Sequence, residues 1–254
     1  LVVKDNDLAA ANSSSIGLDT YTTYSYGGGG CVINGTVDMS SVDIQNNFAD
    51  QGGGLYVDED SSVDYATSWV EENDATDGGG VQVDGGYLSM ENVILAWNLA
   101  VDDGGSVMSI DGQVVFGHAT VAGDTTNAGS GGELYLDGNA TATMDSSIFY
   151  GSSGASVIYG DSTASLSGSY NDVYSTTGST LYSGITDLTG SNGNVSADPY
   201  FGGVSDDGVS GNDDWTLGGS SSCINAGNPS SSYNDADGTR CDMGVFSGPN
   251  SDWN

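Results

Sequence analysis

Asn234, Asp235, Asp237 and Asp242 fall within nine residues around Gly238. A D-x-D-G grouping of this kind can wrap hard oxygen ligands around Ca²⁺, an ion that takes carboxylate, amide and carbonyl oxygens in flexible numbers. The bidentate Glu that closes an EF-hand loop is missing. A cluster of turns in which each Asx side chain bonds its own backbone therefore competes with the metal reading. Arg240, the only Arg, stands in the same stretch and is expected to pair with a neighbouring carboxylate.

Other candidate groups have structural explanations of equal reach. His118, the only His, lies in a segment with the pattern of a repeated strand, which predicts a core or flanking residue. Asp102 and Asp103 invite comparison with the paired carboxylates of glycoside hydrolysis, yet they occupy the turn that Asp50-Gln51 and Thr76-Asp77 occupy in neighbouring repeats. A polyuronate lyase needs a cationic base and charge-neutralising groups beside the substrate carboxylate. Lys4 and Arg240, at opposite ends of the chain, do not supply them, and no Arg-x-Lys or Gly-His-Gly occurs. Trp69, Trp97, Trp215, Trp253 and the 14 Tyr could stack on sugar rings. Trp69 stands four residues before its repeat's Asn and Trp97 one before, so no shared platform is expected.

Thirty-five acidic residues face two basic ones, a net charge of -33. A phosphate backbone is repelled, which excludes nucleic acid and disfavours anionic membranes and polyuronates. No apolar run reaches the roughly 18–20 residues of a membrane-spanning helix, so no membrane span is expected. Leu1-Val2-Val3-Lys4 opens straight into polar sequence, the expected start of a mature or excised segment of a longer protein. Asn12, Asn34, Asn139 and Asn194 each open a glycosylation sequon.

These residues must be positioned by a repeat. Asn47-Phe-Ala-Asp-Gln-Gly-Gly-Gly54, Asn73-Asp-Ala-Thr-Asp-Gly-Gly-Gly80 and Asn98-Leu-Ala-Val-Asp-Asp-Gly-Gly105 align, with a looser copy from Asp124 to Gly132. Matched glycines at 30, 54, 80, 105 and 132 give steps of 24 to 27 residues. After each Gly pair comes an alternating apolar strand, then a turn, then two more short strands, as in Val37-Asp-Met39 and Val42-Asp-Ile44. The pattern predicts an all-β, right-handed parallel β-helix of about 25 residues and three short strands per coil. Asn47, Asn73 and Asn98 should stack as an internal amide ladder, and Gly54, Gly80 and Gly105 should give the corner its positive φ and its room. Residues 1–24 read as a partial coil, 25–197 as the solenoid and 198–254 as a carboxy-terminal cap continuous with it.

The N-x-A-x-x-x-G-G turn followed by an apolar strand resembles the repeat of the polymorphic outer-membrane proteins and related β-helix proteins of bacterial surfaces. His118-Ala-Thr-Val-Ala-Gly123 and Ser146-Ser-Ile-Phe-Tyr-Gly151 look like its third-strand segments. The likeness spans roughly residues 25 to 160 and implies an exposed location with a tendency toward adhesion. Asp198-Pro-Tyr-Phe201, Ser222-Cys-Ile-Asn-Ala-Gly227 and the stretch ending Asp242-Met-Gly244 resemble the ending of many secreted bacterial β-helix proteins, with Ser222 replacing a Pro and Asn225 an Asp. Within that segment Cys223 and Cys241, 18 residues apart, are expected to form a disulfide, leaving Cys31 as a buried thiol in the place of Leu55 and Val81. These features favour a non-catalytic extracellular or cell-surface module, structural or adhesive, that meets copies of itself, other surface proteins or glycans, with Ca²⁺ as its candidate ion. The competing reading is a polysaccharide-binding or polysaccharide-cleaving domain that uses exposed carboxylates and aromatics.

Overall fold

The computed structural model describes residues 2–4, 25–127, 129–151, 154–205 and 210–251. Of the amino-terminal partial coil it describes only the strand Val2–Lys4, and the sequon at Asn12 and Trp253 lie outside the described residues. Among those residues the only helices are two three-residue 3₁₀ turns, Ser210–Asn212 and Ser231–Tyr233. The repeats form a parallel β-solenoid of about six turns, and Phe201–Gly203 pairs antiparallel with Asp214–Leu217 beyond it.

Three parallel sheets run along it. One has seven strands, from Gly30–Val32 through Val81–Asp84 to Thr180–Ser183. A second, of eleven strands, unites the two later strands of each coil, and Ser62–Glu71 and Tyr87–Ala96 each pass through both of its halves as one ten-residue strand. A third, of four strands, is Phe48–Gln51, Asp74–Asp77, Leu99–Ala100 and Thr125–Thr126, so the stretch read from sequence as a turn after each Asn carries a strand of its own.

Alternation decides which side chains enter the core. Val63, Leu88, Val114 and Ala142 stack in register, as do Tyr65, Met90, Phe116 and Met144, and none of the eight is more than 2 % exposed. Each buried Val, Leu, Met or Phe adds about 1.5–3 kcal/mol relative to exposure. A single coil cannot bury such a face alone, so stability lies in the stacking.

The long sheet bends at Ser41, Thr67, Asn92, His118, Ser146 and Tyr170, stacked residues with φ between 47° and 58°. A left-handed non-glycine conformation costs about 1–2 kcal/mol. Inter-coil bonds offset it here: His118 N donates to Asp145 O at 3.0 Å and Ser146 N to Ser169 O at 3.2 Å. A second such corner runs through Asn46, Glu72 and Trp97.

Two expectations are corrected. Positive φ falls on Gly52, Gly78, Gly104 and Gly131 rather than on Gly54, Gly80 and Gly105. Gly105 also stacks on Gly79, because Val107 pairs with Val81. The column is therefore Gly54, Gly80, Ser106 and Glu133. A Cβ on Gly80 would stand 3.0 Å from Asn98 Cγ, so side chains in this column point at the Asn ladder.

The segment from 198 onward does not cover the end of the solenoid. That end is closed by Ile185, Leu188 and Asn194, with Val195 bridging to Asp172. The later segment folds back along the outside of the long sheet, where Trp215 and Val245 pack on Ile94, Ala96 and Ala122. Outward-facing apolar residues in those coils leave a face to be covered, and this segment covers it.

Candidate functional site

Inside the solenoid, Asn47 Nδ2 donates to Asn73 Oδ1 at 2.9 Å and Asn73 Nδ2 to Asn98 Oδ1 at 3.0 Å. Asn98 Nδ2 then donates to Asp124 Oδ1 at 2.9 Å, so a carboxylate ends the run of amides. Glu133 lies against that carboxylate, and both residues are 0 % exposed. Ser106 and Glu133 stand beside Asp124, and with both carboxyls ionised Asp124 Oδ2 and the two Glu133 oxygens would face each other with no N–H between them among the described residues. Burial and the facing carboxyl raise the pKa of Glu133 well above the usual range, and burial raises that of Asp124. Two carboxylates cannot both ionise in a dry interior, so the pair retains a proton at neutral pH.

Outside, the left-handed corner is the docking line for the folded-back segment. Asn92 Nδ2 donates to Val245 O at 2.7 Å and Ser247 O at 2.8 Å. Ser146 Oγ accepts Asn228 N–H at 2.9 Å. Arg240 lies over the Tyr170 ring at 5.3 Å, and its guanidinium donates to Gly227 O and Ala226 O at 2.7 and 2.8 Å. Arg240 thus binds carbonyls and a ring rather than the carboxylate expected of it.

His118, on the same line, is 1 % exposed, with Nδ1 3.1 Å from Glu91 Oε1 and its ring 5.8 Å from that of Tyr233. Burial alone would lower its pKa, but Cys241 and Glu91 beside it outweigh burial and lift it to about 9. The ion pair with Glu91 links two coils of the solenoid, and the segment meets the imidazole through the Tyr233 ring.

The candidate Ca²⁺ residues are neighbours, but each is bound to its own backbone partner. Asn234 Nδ2 donates to Gly238 O, and Asp237 Oδ1 accepts from Thr239 N and Oγ1, both local turns. Asp235 Oδ1 accepts Gly248 N–H and Asp242 Oδ1 accepts Asn225 N–H. No group of three or more His, Cys, Asp or Glu side chains converges as a metal site among the described residues.

Cys223 and Cys241 are free thiols rather than the expected disulfide. Cys223 donates to Asp172 Oδ2 at 3.3 Å and Cys241 to Asn228 O at 3.3 Å, so each is turned to its own acceptor. Cys31 is half-buried and pairs with Tyr56 rather than Leu55, one residue off the expected register. Burial, then the charge of Asp58, pushes its pKa up to about 11. Of the other sequons, Asn34 and Asn139 are exposed, whereas Asn194 is 2 % exposed and continues the internal bonding from Asn171.

Asp102 and Asp103 are turn residues: Asp102 N donates to Thr76 O, and Asp103 Oδ1 accepts Ser130 N–H at 2.8 Å. The aromatics meet in a packed cluster rather than on an exposed platform. Trp97 and Trp215 lie 6.4 Å apart, Phe201 meets Trp215 edge-on at 5.3 Å, and Trp69 joins the same cluster. Trp97 Nε1 donates to Asp213 Oδ2 at 2.7 Å. The folded-back strand Asp214–Leu217, far away in sequence, brings them together.

Fold and site together define a parallel β-solenoid with a laterally docked carboxy-terminal segment. Comparison with family models, curated proteins and solved structures returned no match.

Proposed function

We propose that the chain is a non-catalytic structural or adhesive module of an extracellular or cell-surface protein, acting through the outside of its solenoid. The observation that carries this reading is the first half of the long sheet. There Thr36, Asp38 and Asp64 are exposed on the first two coils and Thr141, Thr143 and Ser167 on the last two, with Gln113 exposed between them, which gives a polar face rich in hydroxyls and carboxylates at both ends. The groups best suited to chemistry are meanwhile engaged in holding coils and segment together. The repeat's resemblance to polymorphic outer-membrane proteins agrees with an adhesive role. Its partners are further copies of the chain, other surface proteins or neutral glycans. The first-coil strand Thr36–Ser40 pairs on one side only among the described residues, which suits end-to-end stacking.

A turnover screen on neutral and acidic polysaccharides, run beside a glycan array, tests the proposal. No release of reducing ends is expected, with or without Ca²⁺, together with binding or self-association detected by solution scattering. Sustained turnover by the purified chain would refute it. Ca²⁺ belongs to this reading as a stabiliser of the loop from Asn234 to Asp242. A net charge of -33 repels itself in the compact state, and an ion bound only by the folded chain adds stability by mass action. The melting temperature should rise in millimolar Ca²⁺ over chelator at fixed ionic strength. Coincident melting curves would remove Ca²⁺ from the account.

A further inference from the structure

The docked segment leaves a cavity of about 260 Å³ against the outer face of the long sheet. Phe201, Trp215 and Phe246 give it three aromatic walls, and Ile148 lines it from the sheet. Among its lining residues Asp242 is the only charged one. Drug-sized ligands fill sites of roughly 300–1,000 Å³, so an occupant of this cavity is small.

Its lining selects chemistry. The Asp242 carboxylate is half-buried and held in place by the Asn225 N–H. Arg240, close by in sequence, is committed to the Gly227 and Ala226 carbonyls and leaves that charge unneutralised. A bare metal ion would find one carboxylate among apolar rings, far from the six to eight oxygens Ca²⁺ takes. An organic cation gains from the carboxylate and from the negative faces of the rings, and its methyl groups fill the apolar space. The field of a chain with net charge -33 concentrates cations and repels anions. Trp215 is 2 % exposed and its indole Nε1 is sealed from solvent, so it shapes the cavity by packing and offers an occupant no hydrogen bond.

We propose that this cavity binds a small alkylammonium, with its cationic head beside Asp242 and its methyl groups against Phe201 and Phe246. The site goes beyond the structural role above and is independent of it, since a solenoid that neither adheres nor assembles would still hold the cavity. Burial of the carboxylate raises the Asp242 pKa, and a bound cation would bring it back down.

Titration of the full chain with choline chloride, followed by calorimetry and tryptophan fluorescence, tests this. Sodium chloride at matched ionic strength and glucose serve as parallel arms. A saturable response to choline alone is expected. Asp242→Asn, which keeps an acceptor for Asn225, should weaken it about tenfold, the 1.4 kcal/mol of one modest charge interaction. Phe201→Leu removes a ring face and keeps an apolar wall, and should weaken choline and tetramethylammonium alike. Circular dichroism of both variants establishes that the solenoid is intact. A non-saturable choline response, a response matched by sodium chloride, or unchanged affinity in folded Asp242→Asn would overturn the proposal. Saturation by glucose alone would reassign the cavity to a neutral sugar and overturn the cation.

Discussion

Asn73→Leu is expected to lower the unfolding free energy by about 3–5 kcal/mol, a loss set by unmade bonds rather than by volume. Asn73 is 0 % exposed and central to the ladder. Its Oδ1 accepts both N–H and Nδ2 of Asn47, and its Nδ2 donates to Ile44 O and Asn98 Oδ1. Leucine has the size but none of the polarity. It would take from Asn47 N–H and Nδ2 and from the Ile44 carbonyl the bonds they make to Asn73 in a dry interior, each at about 1–3 kcal/mol. Gly54 adds to the cost, since its Cβ position lies 3.1 Å from Asn73 Nδ2 and offers little space for a branched side chain to relax. Coils are held by their neighbours, so damage in the second ladder position separates the first coil from the rest. Urea unfolding followed by circular dichroism measures the effect. A loss under about 1 kcal/mol would mean that apolar stacking, not the amide ladder, sets the register.

Glu133→Gln is the second large effect, and it depends on pH. In the unfolded chain Asp124 and Glu133 titrate near their ordinary values of about 3.9 and 4.3. In the fold both pKa values are raised, by burial first and, for Glu133, by the facing Asp124. The sign follows from linkage. A carboxyl with a raised folded pKa contributes its full stability below the unfolded pKa and loses it as pH rises toward the folded one. While the pair retains one proton that the unfolded chain has released, stability falls by about 1.4 kcal/mol per pH unit. Glutamine has no proton to lose, and its amide can donate to Asp124 Oδ2 in place of the carboxyl. The difference between Glu133→Gln and the natural chain should therefore grow in the variant's favour from pH 5 to pH 8 by about 1.4 kcal/mol per unit. Denaturant unfolding at each pH provides the comparison. Parallel stability profiles would show that no proton is held between the two residues.

The two effects mark how differently parts of the molecule could be read. The Asn ladder was legible because each coil repeats the same residue at the same step for a reason that acts on each coil alone: an amide both donates and accepts, so a column of them bonds end to end. The alternation of Val63-Asp64-Tyr65 or Leu88-Ser89-Met90 was legible for a similar reason, since a strand sends successive side chains to opposite faces. Both rules are local, and 24- to 27-residue steps copy them along the chain.

Where contacts join different coils, or join the solenoid to residues a hundred positions away, only the tertiary structure decided. Sequence alignment by glycines set Gly105 beside Gly80, and the hydrogen-bond register moved it by one, which brings Ser106 and Glu133 toward Asp124. Five residue types fill the six positions of the left-handed corner, Ser41, Thr67, Asn92, His118, Ser146 and Tyr170. Their common property is a backbone conformation maintained by neighbouring coils. Cys223, Arg240 and Trp215 found their partners only when the last segment lay down along the sheet instead of across its end. Composition and period thus determined that this chain is an acidic β-solenoid. The buried acid pair, the docking line and the cavity arise from long-range packing, because the apolar outer face that draws the segment back exists only after the coils have stacked.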